Sequence, residues 1–213
     1  MKTFDIITET DARTIDRGST VALNPRGHIT PLAADTLRER RITVLRGVMD
    51  ANLESLAPVQ DIRSLAIGSD HSGVTLKAAL RDYLRHRGLS VVDVGTEGAD
   101  PVDYPDIAAQ VARLVAHKEV HAGIVIDGAG IGSAIAANKV RGVRAAMCAT
   151  ETIARYSREH NGANVLTLGT SLIDGPDAAI RIVDVWLGTP MREARYIRRL
   201  LKIRRLEERF SRD

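Results

Sequence analysis

Residues 122–139 read AGIVIDGAGIGSAIAANK: an apolar run that ends in Asp127, breaks into the glycines Gly128, Gly130 and Gly132, and restarts as a run of small helix-forming residues. A buried strand that turns through glycines into a helix is the centre of a parallel βαβ unit. The same alternation extends to both sides. Towards the N-terminus, LAIG (65–68) leads to a helix with Leu76, Leu80, Tyr83 and Leu84 on one face, and SVVDVG (90–95) to one with Ile107, Val111, Leu114 and Val115 on one face. That spacing is the amphipathic pattern of helices packed on a sheet. Beyond the glycines come the strand GVRAAM, the helix ETIARYSREH stopped by Asn161-Gly162, and the strand NVLTLG. Helices are expected around 176–187 and, after Thr189-Pro190, from about 191. The expectation is an α/β, doubly wound (Rossmann-like) five-stranded parallel sheet with helices on both faces, its ligand site at the C-terminal ends of the strands.

Residues 1–62 read as a separate N-terminal extension and linker, a small α/β appendage, and residues 63–213 as the main domain. Within the extension, Pro25-Arg26-Gly27 is expected to form a turn, Thr30-Pro31 to start a helix over LAADTLRERR, and ITVL to form a short strand. GVMDANLESLAPVQD (47–61) reads as a helix, at about 47–57, followed by a linker.

Composition narrows the function. The chain has 213 residues and 44% hydrophobic content, enough for a core without metals or disulfides. No run of about 18 apolar residues is present, and the N-terminal segment carries acids, so neither membrane insertion nor export is expected and a cytoplasmic location is. The single cysteine, Cys148, follows the apolar run VRAAM and reads as a buried structural thiol. Residues 192–213 hold nine Lys/Arg against four Asp/Glu while the whole chain is only +3, so the remainder is net acidic. With aromatics at 3%, this basic end offers little stacking surface, and no nucleic-acid partner is expected.

The glycine loop is GxGxG, lies in the third βα unit and lacks a following Lys-Ser/Thr, which argues against dinucleotide and ATP sites. Its amides can instead converge on an anion or a developing oxyanion. Polar residues gather beside the other strands: Asp70-His71, Asp103-Tyr104, Asp127 and His160-Asn161. Sheet topology is expected to bring several of these to one crevice.

Taken together, GSDHSGVTLK (68–77), DYPDIA (103–108), GAGIGSAIAANKVRGVRAA (128–146), SREHNGANVLTLG (157–169) and RYIRR (195–199) resemble the type B ribose-5-phosphate isomerases and the related galactose-6-phosphate isomerase subunits, over about residues 64–205. The resemblance implies isomerisation of an aldose phosphate and a ketose phosphate with no cofactor and no metal, ribose 5-phosphate and ribulose 5-phosphate or a related pentose or hexose phosphate, through an enediolate. It implies that the amides of Gly128 to Gly132 stabilise the enediolate, that Asp70, His71, Tyr104 and Asn161 contact sugar or phosphate, and that Arg195 and Arg199 clamp the phosphate. It also implies a homodimer or higher homo-oligomer with the site between subunits. The cysteine common in the family before the glycine loop is Asp127 here, making it the candidate base, with His71 or His160 assisting the ring. The usual hydroxyl residue two positions later is Ala129, and the histidine after the RAA strand is Ala149. The glutamate of some members is Ser133, the arginine after the fifth strand is Ser171, and the histidine beside the first clamp arginine is Tyr196. These losses keep a second reading open, a catalytically impaired sugar-phosphate-binding or partner subunit of the same fold. The segment TVALNPRGHITPLAADTLRERRITV (20–44) resembles parts of proteins encoded with bacterial microcompartments, certain cobalamin adenosyltransferases among them. That resemblance implies a shell or enzyme partner for residues 1–62 and a place within a microcompartment.

Overall fold

A computed structural model describes residues 2–46, 56–191 and 193–210. The helix expected at about 47–57 falls mostly outside the described residues. The chain divides into two units, one of Met1–Ala57 with Arg192–Ile203, the other of Pro58–Met191 with Arg204–Asp213.

In the first unit, β1 (Thr3–Ile7), β2 (Thr20–Ile29) and β3 (Thr43–Arg46) form a parallel sheet in the order β1-β2-β3. Helices α1 (Glu9–Thr14) and α2 (Pro31–Glu39) connect them. Thr8 and Asp11 form a reciprocal capping box at α1, which satisfies amide groups that a helix start leaves without partners. Thr30 caps α2 through Ala33 N, with Pro31 in the first position. Ile7, Ala12, Val21, Leu23, Ala33 and Leu37 make the core of this unit. Pro25-Arg26-Gly27 does not end a strand, as a turn would: it is an insertion within β2. The register runs from Phe4↔Leu23 to Ile6↔His28, so β2 spends three extra residues there and then continues in the same direction. Proline cannot donate to a ladder, and a bulge lets the strand pass it.

The second unit holds a five-stranded, wholly parallel sheet in the order β5-β4-β6-β8-β7. Its strands are β4 (Ser64–Ser69), β5 (Ser90–Asp93), β6 (Ala122–Asp127), β7 (Ala145–Met147) and β8 (Val165–Gly169). Helices α3 (Val74–His86), α6 (Glu151–Glu159) and α7 (Gly175–Gly188) pack on one face through Leu80, Leu84, Ala154, Ile182 and Trp186. Helices α4 (Tyr104–Ala116) and α5 (Ile131–Ala137) cover the other through Ala108, Val111, Val115 and Ala137. Both faces are therefore apolar, which is why all six residues of β6 are buried. The last helix, α8 (Ala194–Phe210), belongs to the first unit as far as Ile203 and to the second from Arg204, and within the second the Glu207 carboxylate accepts from Gly142 N at 2.8 Å. The chain leaves β4 towards β5 and then crosses to β6 on the other side, so the topological switch point lies between the C-terminal ends of β4 and β6. Open parallel sheets bind ligands there.

No helix among the described residues is long and apolar enough to cross a membrane. Cys148 is fully buried beside Ser157, and burial pushes its thiol up to about 11. At pH 8 the reactive thiolate is then a fraction on the order of 10⁻³. A thiol reagent at pH 8 should label the native protein to no more than a few per cent and label it stoichiometrically in denaturant. Rapid native labelling would place Cys148 at the surface.

Candidate active site

The crevice is built from the ends of three neighbouring strands. Asp70 follows β4, and its amide donates to Ile126 O at 3.2 Å, tying the end of β4 to the end of β6. Its carboxylate caps the short 3-10 turn His71–Gly73, accepting from Ser72 N at 2.9 Å and Ser72 Oγ at 2.6 Å. An aspartate that completes its own turn in this way is held rigidly, with one oxygen left over. His71 is exposed, and its Nδ1 accepts from Val102 N at 3.4 Å. The neutral ring that makes this bond carries its proton on Nε2. The same contact draws in the loop that precedes Tyr104, a loop also fixed at its start. There Asp93 accepts from the buried Lys77 Nζ at 2.7 Å and from Gly95 N at 3.2 Å.

Asp127 ends β6 and is 4% exposed. Its Oδ1 accepts from the amides of Ala129, at 2.8 Å, and of Gly130, and its Oδ2 accepts from Ser133 N at 2.9 Å. The glycine loop thus closes around the carboxylate at its own start. Of the amides from Gly128 to Gly132, those of Ala129 and Gly130 are turned to Asp127, while Ile131 and Gly132 stand in the first turn of α5, where a helix has no acceptor for them. Gly130 has φ of 74°, a conformation that favours glycine. From β8 and the two residues after it, the buried Thr167 hydroxyl donates to Gly130 O at 2.7 Å, Thr170 N to Asp127 O at 3.0 Å and Ser171 N to Gly128 O at 2.9 Å. In the sequence Thr167 is marked only as a polar residue in the apolar strand VLTLG. Tyr104 opens α4 and lays its ring on Gly132: a Cβ there would lie 2.5 Å from Tyr104 Cζ and 2.8 Å from its hydroxyl.

Asp70, His71, Tyr104, Asp127 and the glycine loop therefore share one end of the sheet. His160 and Asn161 do not. They follow α6, which runs back from the C-terminal end of β7, and the next turn enters the N-terminal end of β8, where Asn164 O accepts from Gly123 N. Gly123 is five residues before Gly128 along β6, about 16 Å at the usual rise of a strand. Within one chain, His160 lies at the opposite end of the sheet from Asp127. Its ring stacks on Tyr156 at 4.7 Å, and Asn161 Nδ2 donates to Tyr156 O at 3.2 Å. Arg195 and Arg199 belong to the first unit, where their guanidinium groups lie 4.8 and 5.5 Å from the Tyr196 ring. Among the described residues no cluster of His, Cys, Asp or Glu could hold a metal ion.

Comparison with known proteins agrees on one lineage. The family described as Ribose/Galactose Isomerase matches residues 65–203. Ribose-5-phosphate isomerase B of Escherichia coli is 42% identical over 148 residues, covering 70% of this chain and 99% of the relative. The D-erythrulose-4-phosphate isomerase of Pectobacterium atrosepticum is 40% identical over 126 residues, 58% of this chain and 82% of the relative. Among solved structures, ribose-5-phosphate isomerase B of Clostridium thermocellum superposes with a TM-score of 0.67 at 47% identity, over 69% of this chain and 99% of that one. The enzyme from Mycoplasma genitalium with bound ribulose-5-phosphate gives 0.66 at 39% identity, over 68% of this chain and 96% of its own.

Two glycines of the loop differ in what a methyl group would meet, and that difference is measurable. Gly132→Ala drives a methyl into the Tyr104 ring and is expected to cost about 1–3 kcal/mol. Gly128→Ala meets nothing nearer than Ser72 Oγ at 3.9 Å and should stay within about 0.5 kcal/mol of the parent. Denaturant midpoints of the two variants decide it; equal losses would mean that Tyr104 is not seated on the loop.

Proposed function

Because the chain belongs to the ribose/galactose isomerase family, we propose that it interconverts an aldose phosphate and a ketose phosphate, with ribose 5-phosphate and ribulose 5-phosphate as the first pair to test and no cofactor. The observation that carries the reading is the seating of Asp127 at the switch point. A carboxylate has about four acceptor positions; two on Oδ1 and one on Oδ2 are filled by amides, which leaves one on Oδ2 for a substrate proton. With its geometry fixed by the loop, that oxygen serves as the base. It takes the proton from C2 of the open aldose while the C1 carbonyl electrons move onto O1. The hydroxyl proton on O2 passes to O1, and the enediolate then takes the first proton back from Asp127 at C1 as O2 becomes the ketone oxygen and O1 a hydroxyl. The amides of Ile131 and Gly132, with the hydroxyl of Tyr104, supply donors for the enediolate oxygens. Asp70 and His71 hold the sugar hydroxyls, and Arg195 and Arg199, one turn apart, provide the forked donors that a phosphate needs.

A cyclic aldose must first open: the C1–O4 bond breaks, the anomeric hydroxyl loses its proton and O4 gains one. We assign the donor to His160, assisted by Asn161 as a sugar contact. Since these two lie at the far end of their own sheet, the copy that serves a given crevice is a second subunit, and the active form is a homodimer or larger. Ile153 and Tyr156, 42% and 45% exposed along the helix that leads to His160, give that helix an apolar surface for such a neighbour. Residues 1–62 fall outside the isomerase machinery on this reading, and we assign them to tethering to a partner enzyme or shell.

A second reading has one observation in its favour. The three amides on Asp127 are the arrangement of a carboxylate that only fixes its loop, as in a binding or partner subunit that has lost catalysis. Proton NMR in deuterated buffer with ribose 5-phosphate and ribulose 5-phosphate separates the two. An isomerase washes deuterium into the sugar, and Asp127→Asn should lower that rate by about 10²–10⁴-fold, whereas binding without exchange in the parent protein selects the second reading. Asp127→Cys, which restores the residue common in the family, should retain far more exchange than Asp127→Asn if the role is that of a base.

The shared site has its own test. Asp127→Asn and His160→Gln subunits, each inactive, are mixed and re-assembled. Hybrid dimers contain one site with both residues intact, so about a quarter of the parent activity should return. No recovery, with hybrids demonstrated by mass, would put both residues in the same chain's site.

A further inference from the structure

The turn that carries His160 and Asn161 is gripped by two arginines that the proposed chemistry does not use. Arg158, in the last turn of α6, is 1% exposed. Its Nη1 donates to Ala163 O at 2.9 Å and its Nη2 to Val59 O at 2.7 Å, and its guanidinium lies over the Trp186 ring at 4.8 Å. Arg144, before β7, donates from Nε to the neighbouring carbonyl, Gly162 O, at 2.8 Å. Two consecutive carbonyls, directly after His160-Asn161, are thus each held by a guanidinium. Gly162, the first of the two, has φ of 58°, and Asn161 binds back to α6.

Among the described residues Arg158 has no carboxylate partner. Burial, and after it the charge of Arg144, hold its pKa down at about 10. A buried cation without an anion is costly, and an apolar side chain would pack on Trp186 as well. What a guanidinium adds is a rigid fork whose two ends can be aimed at separate carbonyls. One end takes the residue after the turn and the other takes the chain at Val59, so the turn is tied to a segment outside its own loop.

We propose that Arg158 is a positioning residue for the reaction, setting the turn so that His160 meets the ring oxygen of a sugar held in a second subunit. The proposal rests on the shared-site reading above. It concerns ring opening and leaves the proton transfer at Asp127 untouched, and this distinguishes positioning from a general loss of structure.

Two rates in the full-length protein measure the difference. One is the conversion of ribose 5-phosphate, whose ring has to open. The other is the wash-in of solvent deuterium at C1 of ribulose 5-phosphate, which has no ring to open because its O5 is esterified. His160→Gln is expected to lower the first by about 100-fold relative to the second. Arg158→Met should follow it, and Arg158→Lys, which keeps the charge and can reach one carbonyl, should lose about tenfold. Should Arg158→Met fail to fold, Arg158→Lys decides. Equal losses in both rates, or no loss in either, overturn the proposal even where His160→Gln shows the split. If His160→Gln shows no split, the ring role of His160 falls, and the positioning role falls with it whatever the Arg158 variants do.

Discussion

The closing of the glycine loop on Asp127 is the interaction on which the crevice depends. The carboxylate is almost completely buried at the end of a strand that is covered on both faces. A charge in that position is costly unless hydrogen bonds meet it, and the amides of Ala129, Gly130 and Ser133 do so, the last from the first turn of α5. The loop gains as much as the charge does. Three glycines in five residues have more conformational freedom to lose than any other segment of this length. The carboxylate from one side and the donors Thr167, Thr170 and Ser171 from the other leave the loop one shape. Tyr104 can rest on Gly132 because that shape is fixed.

Periodicity carried most of the fold. The five strands and the helices on both faces follow from apolar runs and amphipathic spacing between 65 and 188, whereas the switch point needs the strand order, which only the pairing of the strands supplies. What escaped was information that periodicity does not contain. Pro25-Arg26-Gly27 has turn composition, yet the neighbouring strand runs parallel and demands that β2 continue, so the same residues become an insertion. The strand β1 and its helix are short and half exposed, so periodicity is weak there, and the Thr8…Asp11 capping pair is the one strong local signal. Within the site, Asp70, His71, Tyr104 and Asp127 were legible because each stands directly after a strand or opens the helix that follows one. Thr167 and Arg158 were not, since their partners are backbone carbonyls 37 and 5 residues away that no motif marks.

His160 shows where topology corrects a sequence pattern. A parallel sheet sorts its loops by direction: those after strands lie at one end, those after helices at the other. A residue that ends a return helix is carried away from the crevice by the length of that helix, and no rotamer brings it back. His160-Asn161 looked like a fourth cluster beside the other three because in sequence it adjoins a strand, but it adjoins the strand's beginning. On the proposed reading this separation is itself functional, because ring opening and proton transfer then require two subunits, and activity becomes a property of the assembly.

The departures from the family also cease to be independent once the loop is seen in three dimensions. The residue at 133, a glutamate in some members, donates its amide to the Asp127 carboxylate at 2.9 Å. Carboxylates at both positions would share one small buried site, where like charges oppose each other's ionisation. A chain can place its anion before the loop or after it at little cost, but placing it in both is unfavourable. Ser133, fully buried with its hydroxyl lacking a partner among the described residues, is what remains when the charge sits at 127. Asp127 and Ser133 are therefore coupled positions: the amide of residue 133 meets the charge at 127, and on the proposed reading a second carboxylate there would oppose the base.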